Sequence, residues 1–282
     1  MSLSNTARFL LLLLLAGFAS ACEPVTTEQA GPDPRLEAEV ERLREALAGG
    51  PPELAGKPLV VALVDSGELR WVRGFGQEAG GGTPDPGRVF AASRLLPTLL
   101  AVALERLVDQ GRLSLTDARR GELMAATGEA QLTQLIAELE KGAGRGWREA
   151  LQQEILEPLA MKKTSLGSGP PSLATDADNL VRLMVDLQKA NAGRNWRRLE
   201  QAGAQRLLRP MGAAGHGFGL DFGGEGQSGH FFRYGRDGEI SYAWVGFFSS
   251  GNGAVVFGPS DAAVSAALHR IANTYDWPAL KD

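Results

Sequence analysis

Ser93 stands where a short apolar segment, Val89 to Ala92, gives way to a long apolar stretch in "RVFAASRLLPTLLAVALERLVDQGRLSLTD". A serine hydroxyl attacks a carbonyl only when a nearby base takes its proton. A lysine three residues on would share its helix face and could act so. Here that residue is Leu96, which can neither accept a proton nor hold a charge, and Ser-x-x-Lys occurs nowhere in the chain. Two readings of Ser93 stay open: an N-cap for the orphan N–H groups of a buried helix, or a nucleophile with an unrecognised base. A second candidate is Arg236, in Arg236-Asp237-Gly238. Its guanidinium is always charged and its planar fork matches a carboxylate. The plainer reading is a surface ion pair with Asp237 or Glu239, worth about 0–1 kcal/mol.

The other chemistry-bearing residues carry less. His216, His230 and His269 show no metal-ligand spacing, so they read as structural or surface residues, with no metal and no cofactor expected. Ser250-Gly251-Asn252 sits between two strand-like runs and reads as a hairpin turn. The single cysteine, Cys22, ends "FLLLLLLAGFASAC", a short apolar core followed by small residues. That is the layout of an export signal, too short to persist as a spanning helix. The alternative is ordinary cleavage near Cys22 with the thiol incidental.

These residues need elements to position them. "RLEAEVERLREALAGG" places Leu36, Val40, Leu43 and Leu47 at helical spacing before a Gly-Gly stop. "LVVALV", a tight Asp-Ser-Gly turn and "LRWVRGF" form a hairpin. The stretch after Ser93 is apolar nearly all round, a buried helix ended by Gly111. "GWREALQQEILEPL" is a helix closed by Pro158, and "TDADNLVRLMVDLQKA" a third with Thr175 or Asp176 as its N-cap. "GFGLDF", "HFFRYG", "ISYAWVGFFS" and "GAVVFG" are strands, and a helix from Asp261 to Thr274 closes the chain. The order implies an α+β (mixed α/β) fold: an antiparallel sheet flanked by N- and C-terminal helices, with a helical subdomain inserted in the middle. The boundaries are residues 1–22 as signal, 23–34 as a polar, Pro-rich tether, and 35–278 as one domain. With 44% hydrophobic and 22% charged residues the chain is globular, and a net charge of −4 without a basic stripe argues against nucleic acid as a partner.

Along residues 36–273 the sequence resembles the serine β-lactamase and penicillin-binding-protein superfamily, in its class C β-lactamase-like, D-alanyl-D-alanine carboxypeptidase or esterase-like branch. "TPDPGRVFAASRLLPTLLAVALERLVDQGRLSLTD" is similar to the nucleophile helix and the turn after it. "LQQEILEPLAMKKTSLG" resembles a "P-L-G-M-x-x-T" element, "GHGFGLDF" a "Y-G-L-G-W" strand, and "YGRDGEISYAWVGFF" a "G-H-x-G-x-x-x-G-F" strand. The resemblance implies Ser93 as nucleophile, a lysine at Leu96, a Tyr-x-Asn, and a Lys-Thr-Gly or His-x-Gly wall that binds a substrate carboxylate. The lysine is lost, and the segment from Asp117 to Trp147 is shortened. Met124 and Ala126 fall at the Tyr-x-Asn positions, and the wall reads Arg236-Asp237-Gly238, making Arg236 and Gly238 the binding candidates. "KKTS" at Lys162–Ser165 mimics the wall but lies where the family has a loop.

The expectation is an envelope lipoprotein, lipidated on Cys22 and held on the periplasmic side of a bacterial membrane. Glu23 after the cysteine resembles the signal for the outer membrane. Its β-lactamase-related domain is expected to be catalytically impaired and to act by binding peptidoglycan peptides or another envelope protein. The alternative is an active serine hydrolase of β-lactamase, D,D-peptidase or esterase type.

Overall fold

Six antiparallel strands make the main sheet, in the order β2-β1-β9-β8-β7-β6. The structure is a computed structural model, which describes residues 33–125, 128–194, 199–211, 216–224 and 229–277. The chain divides between Val40 and Glu41 into two units. Of the first, residues 33–40 are described: they open helix α1, Pro34–Ala48, whose first turn begins with Asp33 accepting from the Arg35 N–H at 3.0 Å. Ala126, Cys22 and residues 23–32 of the tether fall outside the described residues, as does the end of the chain after Trp277.

In the second unit, Leu43 and Leu47 of α1 are buried, and the hairpin β1, Leu59–Asp65, and β2, Glu68–Phe75, follows. Ser66 and Gly67 both have positive φ, +54° and +77°, as the two-residue turn that matches strand twist demands. The Asn252 side chain accepts from the Ser66 N–H at 3.1 Å, so Ser250–Asn252 is the turn between β8, Ile240–Phe247, and β9, Gly253–Gly258. Strands β6, Asp221–Gly223, and β7, His230–Asp237, complete the sheet.

Strand alternation sorts side chains between two layers. Val60, Ala62, Tyr242, Trp244, Val255 and Phe257 share one face, as the pairings Val60↔Phe257, Tyr242↔Phe257 and Trp244↔Val255 require. That face meets the helices: the Trp244 indole donates to the Leu180 carbonyl at 3.1 Å, in helix α6, Ala177–Asn191. The opposite face meets the closing helix α8, Asp261–Thr274, whose Val264 lies against Gly258. The helical middle comprises α2, Leu96–Asp109; α3, Asp117–Ala125; α4, Gly128–Ala143; α5, Trp147–Leu151; and α7, Gln201–Leu207. In α2, Leu96, Leu99, Leu100, Leu104 and Leu107 are wholly buried, the structural outcome of its all-round apolar sequence. The expected architecture is the observed one. Among the described residues no helix is long and apolar enough to cross a membrane.

Three details differ from the sequence reading, and one choice it left open is resolved. The helix of "GWREALQQEILEPL" is α-helical only over Trp147–Leu151, and Gln152–Leu156 is π-helix. Pro158 has no N–H for the Glu154 carbonyl, which instead accepts from the Arg106 guanidinium. "GFGLDF" is a strand only from Asp221, because Gly219 takes a positive φ of +81° and its carbonyl is held by the Thr98 hydroxyl at 2.5 Å. A small second sheet, β3-β5-β4, joins Phe90–Ala91, Leu173–Thr175 and Ser165–Leu166. Asp176, not Thr175, caps α6, accepting from the Asn179 N–H at 2.9 Å.

Candidate active-site region

Ser93 lies outside helix α2. It opens a 3₁₀ turn, Ser93–Leu95, whose N-cap is Ala92, and Leu95 is the N-cap of α2 itself; neither cap uses a side chain. The N-cap reading of Ser93 is therefore replaced. The half-buried Ser93 hydroxyl accepts from the Leu173 N–H of β5 at 3.4 Å, its one hydrogen bond among the described residues. This long contact ties the turn to the small sheet, where the Ala92 N–H in turn donates to the Leu173 carbonyl at 2.9 Å. No lysine, tyrosine, histidine or carboxylate of the described residues accepts the Ser93 proton. Leu96 is wholly buried in the core. Met124 lies on α3, where its sulfur accepts from the Gln131 amide at 3.6 Å, with no bond to Ser93.

The turn packs against the end of β7. The Arg94 guanidinium donates to the Arg236 carbonyl at 3.4 Å. β7 and β8 are joined by a two-residue turn, since Asp237 pairs with Ile240, and Gly238 takes φ +62° there. Pairing then fixes which side chains face the helices. Gly235 pairs with Tyr242 and Asp237 with Ile240, on the helix side; Arg236 pairs with Ser241, on the α8 side. Arg236 is exposed, donates through Nε to the Gly238 carbonyl at 3.1 Å, and forms an ion pair with neither Asp237 nor Glu239. It lines a cavity of about 670 Å³ at the sheet end that Ser93 does not line.

The sequence reading missed Tyr242. Its side chain is 1% exposed and crosses Gly235, where a Cβ would lie 2.2 Å from the phenol oxygen. That close approach explains the glycine. Burial first, and then the Asp237 carboxylate, push the Tyr242 pKa above its usual value near 10, against the opposing pull of Arg233, Arg94 and the Arg94 N–H. The phenol therefore holds its proton more tightly than a free tyrosine does. The Arg94 N–H faces the phenol oxygen without closing a hydrogen bond, so the phenol oxygen, Asp237 Oδ2 and Arg233 Nε are all buried without a hydrogen-bond partner among the described residues. Another Arg233 nitrogen bonds Asp221 at 3.0 Å, whose second oxygen holds the exposed His216 at 2.6 Å. The signal for Tyr242 was present: a glycine opposite an aromatic across a short turn in "YGRDGEISY".

The remaining candidates are structural. Thr164 of "KKTS" bonds Thr175 at 2.7 Å and the Asn179 amide at 3.1 Å, and Lys163 reaches the Gly87 carbonyl at 2.9 Å. His230 is buried beside Phe232 and Phe247, and the His269 ring contacts the Ser265 carbonyl. Among the described residues no cluster of three potential metal ligands occurs.

Comparison of the whole fold with solved structures decides its type. A penicillin-binding protein homologue from Pyrococcus abyssi superimposes with a TM-score of 0.62, at 14% identity, over 86% of this chain and 77% of its own. A D-amino acid amidase from Ochrobactrum anthropi gives 0.65 at 12% identity, over 84% and 99%. A D-alanine carboxypeptidase from Burkholderia cenocepacia gives 0.64 at 12%, also over 84% and 99%. The chain has the β-lactamase/penicillin-binding-protein fold. No protein-family model matches the sequence, and no curated protein matches it. At such identities the likeness is one of architecture alone.

Proposed function

We propose that this protein is an exported, lipid-anchored envelope protein whose β-lactamase-related domain acts by binding and not by hydrolysis. One observation carries the reading. The residue one helical turn beyond Ser93 is a wholly buried leucine, and the serine hydroxyl meets a backbone N–H in place of a base. A serine without its base loses about 10⁴-fold in turnover, by analogy with deletion of a catalytic-triad member. Tyr242, which faces Arg94 of the turn, is held protonated and supplies no substitute. The binding partner in this reading is a peptidoglycan peptide or another envelope protein.

Export and anchoring rest on "FLLLLLLAGFASAC" and on the position of the single cysteine. Membrane fractionation of Cys22→Ser tests them: the variant should leave the membrane fraction, and retention there would refute the lipid anchor. For the domain, the test is labelling of purified protein with a fluorescent penicillin and a fluorophosphonate. No labelling is expected. Stoichiometric labelling that vanishes in Ser93→Ala would make Ser93 a working nucleophile and the protein a serine hydrolase.

A further inference from the structure

We propose that the cavity at the end of the main sheet binds a small zwitterion with an apolar body. This site is separate from the Ser93 turn and does not depend on whether Ser93 reacts. The cavity, about 670 Å³, opens where β1 and β8 begin and β7 and β9 end, and the segment from Glu78 to Phe90 closes its outer side. That volume falls within the range of small-molecule sites, about 300–1,000 Å³.

The walls are fixed before any ligand arrives. Pro84 is pressed against Gly74 of β2, where a Cβ would lie 1.9 Å from the Pro84 carbonyl oxygen. Lys163 holds the Gly87 carbonyl, and Arg88 is bound to Glu78 at 2.6 Å while lying over the Phe90 ring at 5.3 Å. Three of the lining residues, Pro58, Pro84 and Pro259, have no backbone N–H, so they add no donors to the wall. The floor is apolar: Phe90 and Phe257 stack at 4.3 Å, beside Val60 and Ile240.

Four charged side chains line this space, and they fall into two kinds. Arg88 and Glu78 neutralise each other. Arg236 and Glu239 do not: among the described residues neither has an ion-pair partner, and they are not within 4.0 Å of one another. The Gly238 carbonyl holds Arg236 Nε, which leaves the two terminal nitrogens of the fork for a ligand. One uncommitted cation and one uncommitted anion thus border an apolar floor. The matching ligand carries a carboxylate for Arg236, an ammonium for Glu239 and a hydrocarbon body for Phe90, Phe257 and Ile240. A simple anion would leave Glu239 facing it, and a simple cation would meet Arg236.

The experiment is a charge-deletion series followed by calorimetry and amide chemical-shift mapping on the full domain at 0.15 M salt. The probes are 6-aminohexanoate, hexanoate, which lacks the ammonium, and hexylamine, which lacks the carboxylate. The zwitterion should bind about tenfold more tightly than either relative, a 1.4 kcal/mol advantage. Arg236→Ala should abolish its advantage over hexylamine, and Glu239→Gln its advantage over hexanoate; both sites are exposed, so folding is retained. Shifts should centre on Phe90, Ile240 and Phe257 and persist in Ser93→Ala. No binding, equal binding of all three probes, or shifts centred on Ser93 and Leu173 and lost in Ser93→Ala would overturn the site. Failure here leaves the penicillin-labelling result intact, so the two proposals fail separately.

Discussion

Two buried polar regions of this protein are built in opposite ways. In the helical middle, Glu105 of α2 is wholly buried and holds Arg120 at 2.5 and 3.1 Å and Arg206 at 2.6 Å. Arg206 also binds Asp109 at 2.6 Å, and Arg120 the Leu115 carbonyl at 2.7 Å. Nearby, Glu154 gathers Gln110, Arg106 and Arg112. The charges around Glu105 close on one another, and the two clusters together tie α2, α3, α7 and the π-turn. Beside the Ser93 turn, by contrast, Tyr242, Asp237 and Arg233 each keep a buried polar atom without a partner. Networks closed on themselves serve the fold, whereas unmatched buried polar atoms mark places where a fold tolerates cost, as functional sites do and as their relics can.

Breaking the closed network should produce the largest effect. Glu105→Ala leaves Arg120, with a side chain only 4% exposed, without its main partner. Stranding such a charge costs about 3–5 kcal/mol, so the thermal midpoint should drop by about 6–20 °C. A loss under about 1 kcal/mol would show that the network adds nothing to stability. The site region offers the converse test through Leu96→Lys. A lysine at this position enters an apolar, wholly buried site, at a cost of about 2–5 kcal/mol. Penicillin labelling should not appear, because no Tyr-x-Asn accompanies it. Labelling by this variant would show that the other groups of an active site are still in place.

Smaller effects sharpen the contrast. Ser93→Ala removes one long hydrogen bond and should cost about 1 kcal/mol or less in urea unfolding. A greater loss would mean that the hydroxyl is a structural keystone of the turn. Tyr242→Phe removes a buried phenol oxygen that makes no hydrogen bond, so stability at pH 7 should rise, by about 1 kcal/mol. A further effect should appear with pH. The folded pKa of Tyr242 lies above the unfolded value near 10, so its contribution to stability is complete below pH 10 and is lost as the pH rises beyond it. Urea midpoints between pH 8 and 11 should fall more steeply for the wild type than for Tyr242→Phe. Parallel curves would place the phenol in contact with solvent.

How much was legible in advance follows from the range of each interaction. The sequence alone determined the element order, the β1–β2 turn at Ser66-Gly67, the turn at Ser250–Asn252, the closing helix and the burial of the stretch after Ser93. These follow from local periodicity and turn chemistry, which act over a few residues. It also determined that Leu96, and not a lysine, stands three residues after Ser93. Only the tertiary structure decided what the serine does instead, because Leu173 is 80 residues away in the chain. It decided, too, that Arg236 lines the cavity at the sheet end while Asp237 shares the helix-side face with Tyr242. A strand alternates faces at every residue, so that assignment hangs on the register of β7 against β8. The π-helical turn at Gln152–Leu156 has the same origin. Pro158 leaves a carbonyl unbonded, and only the packing of α2 brings the Arg106 guanidinium to meet it.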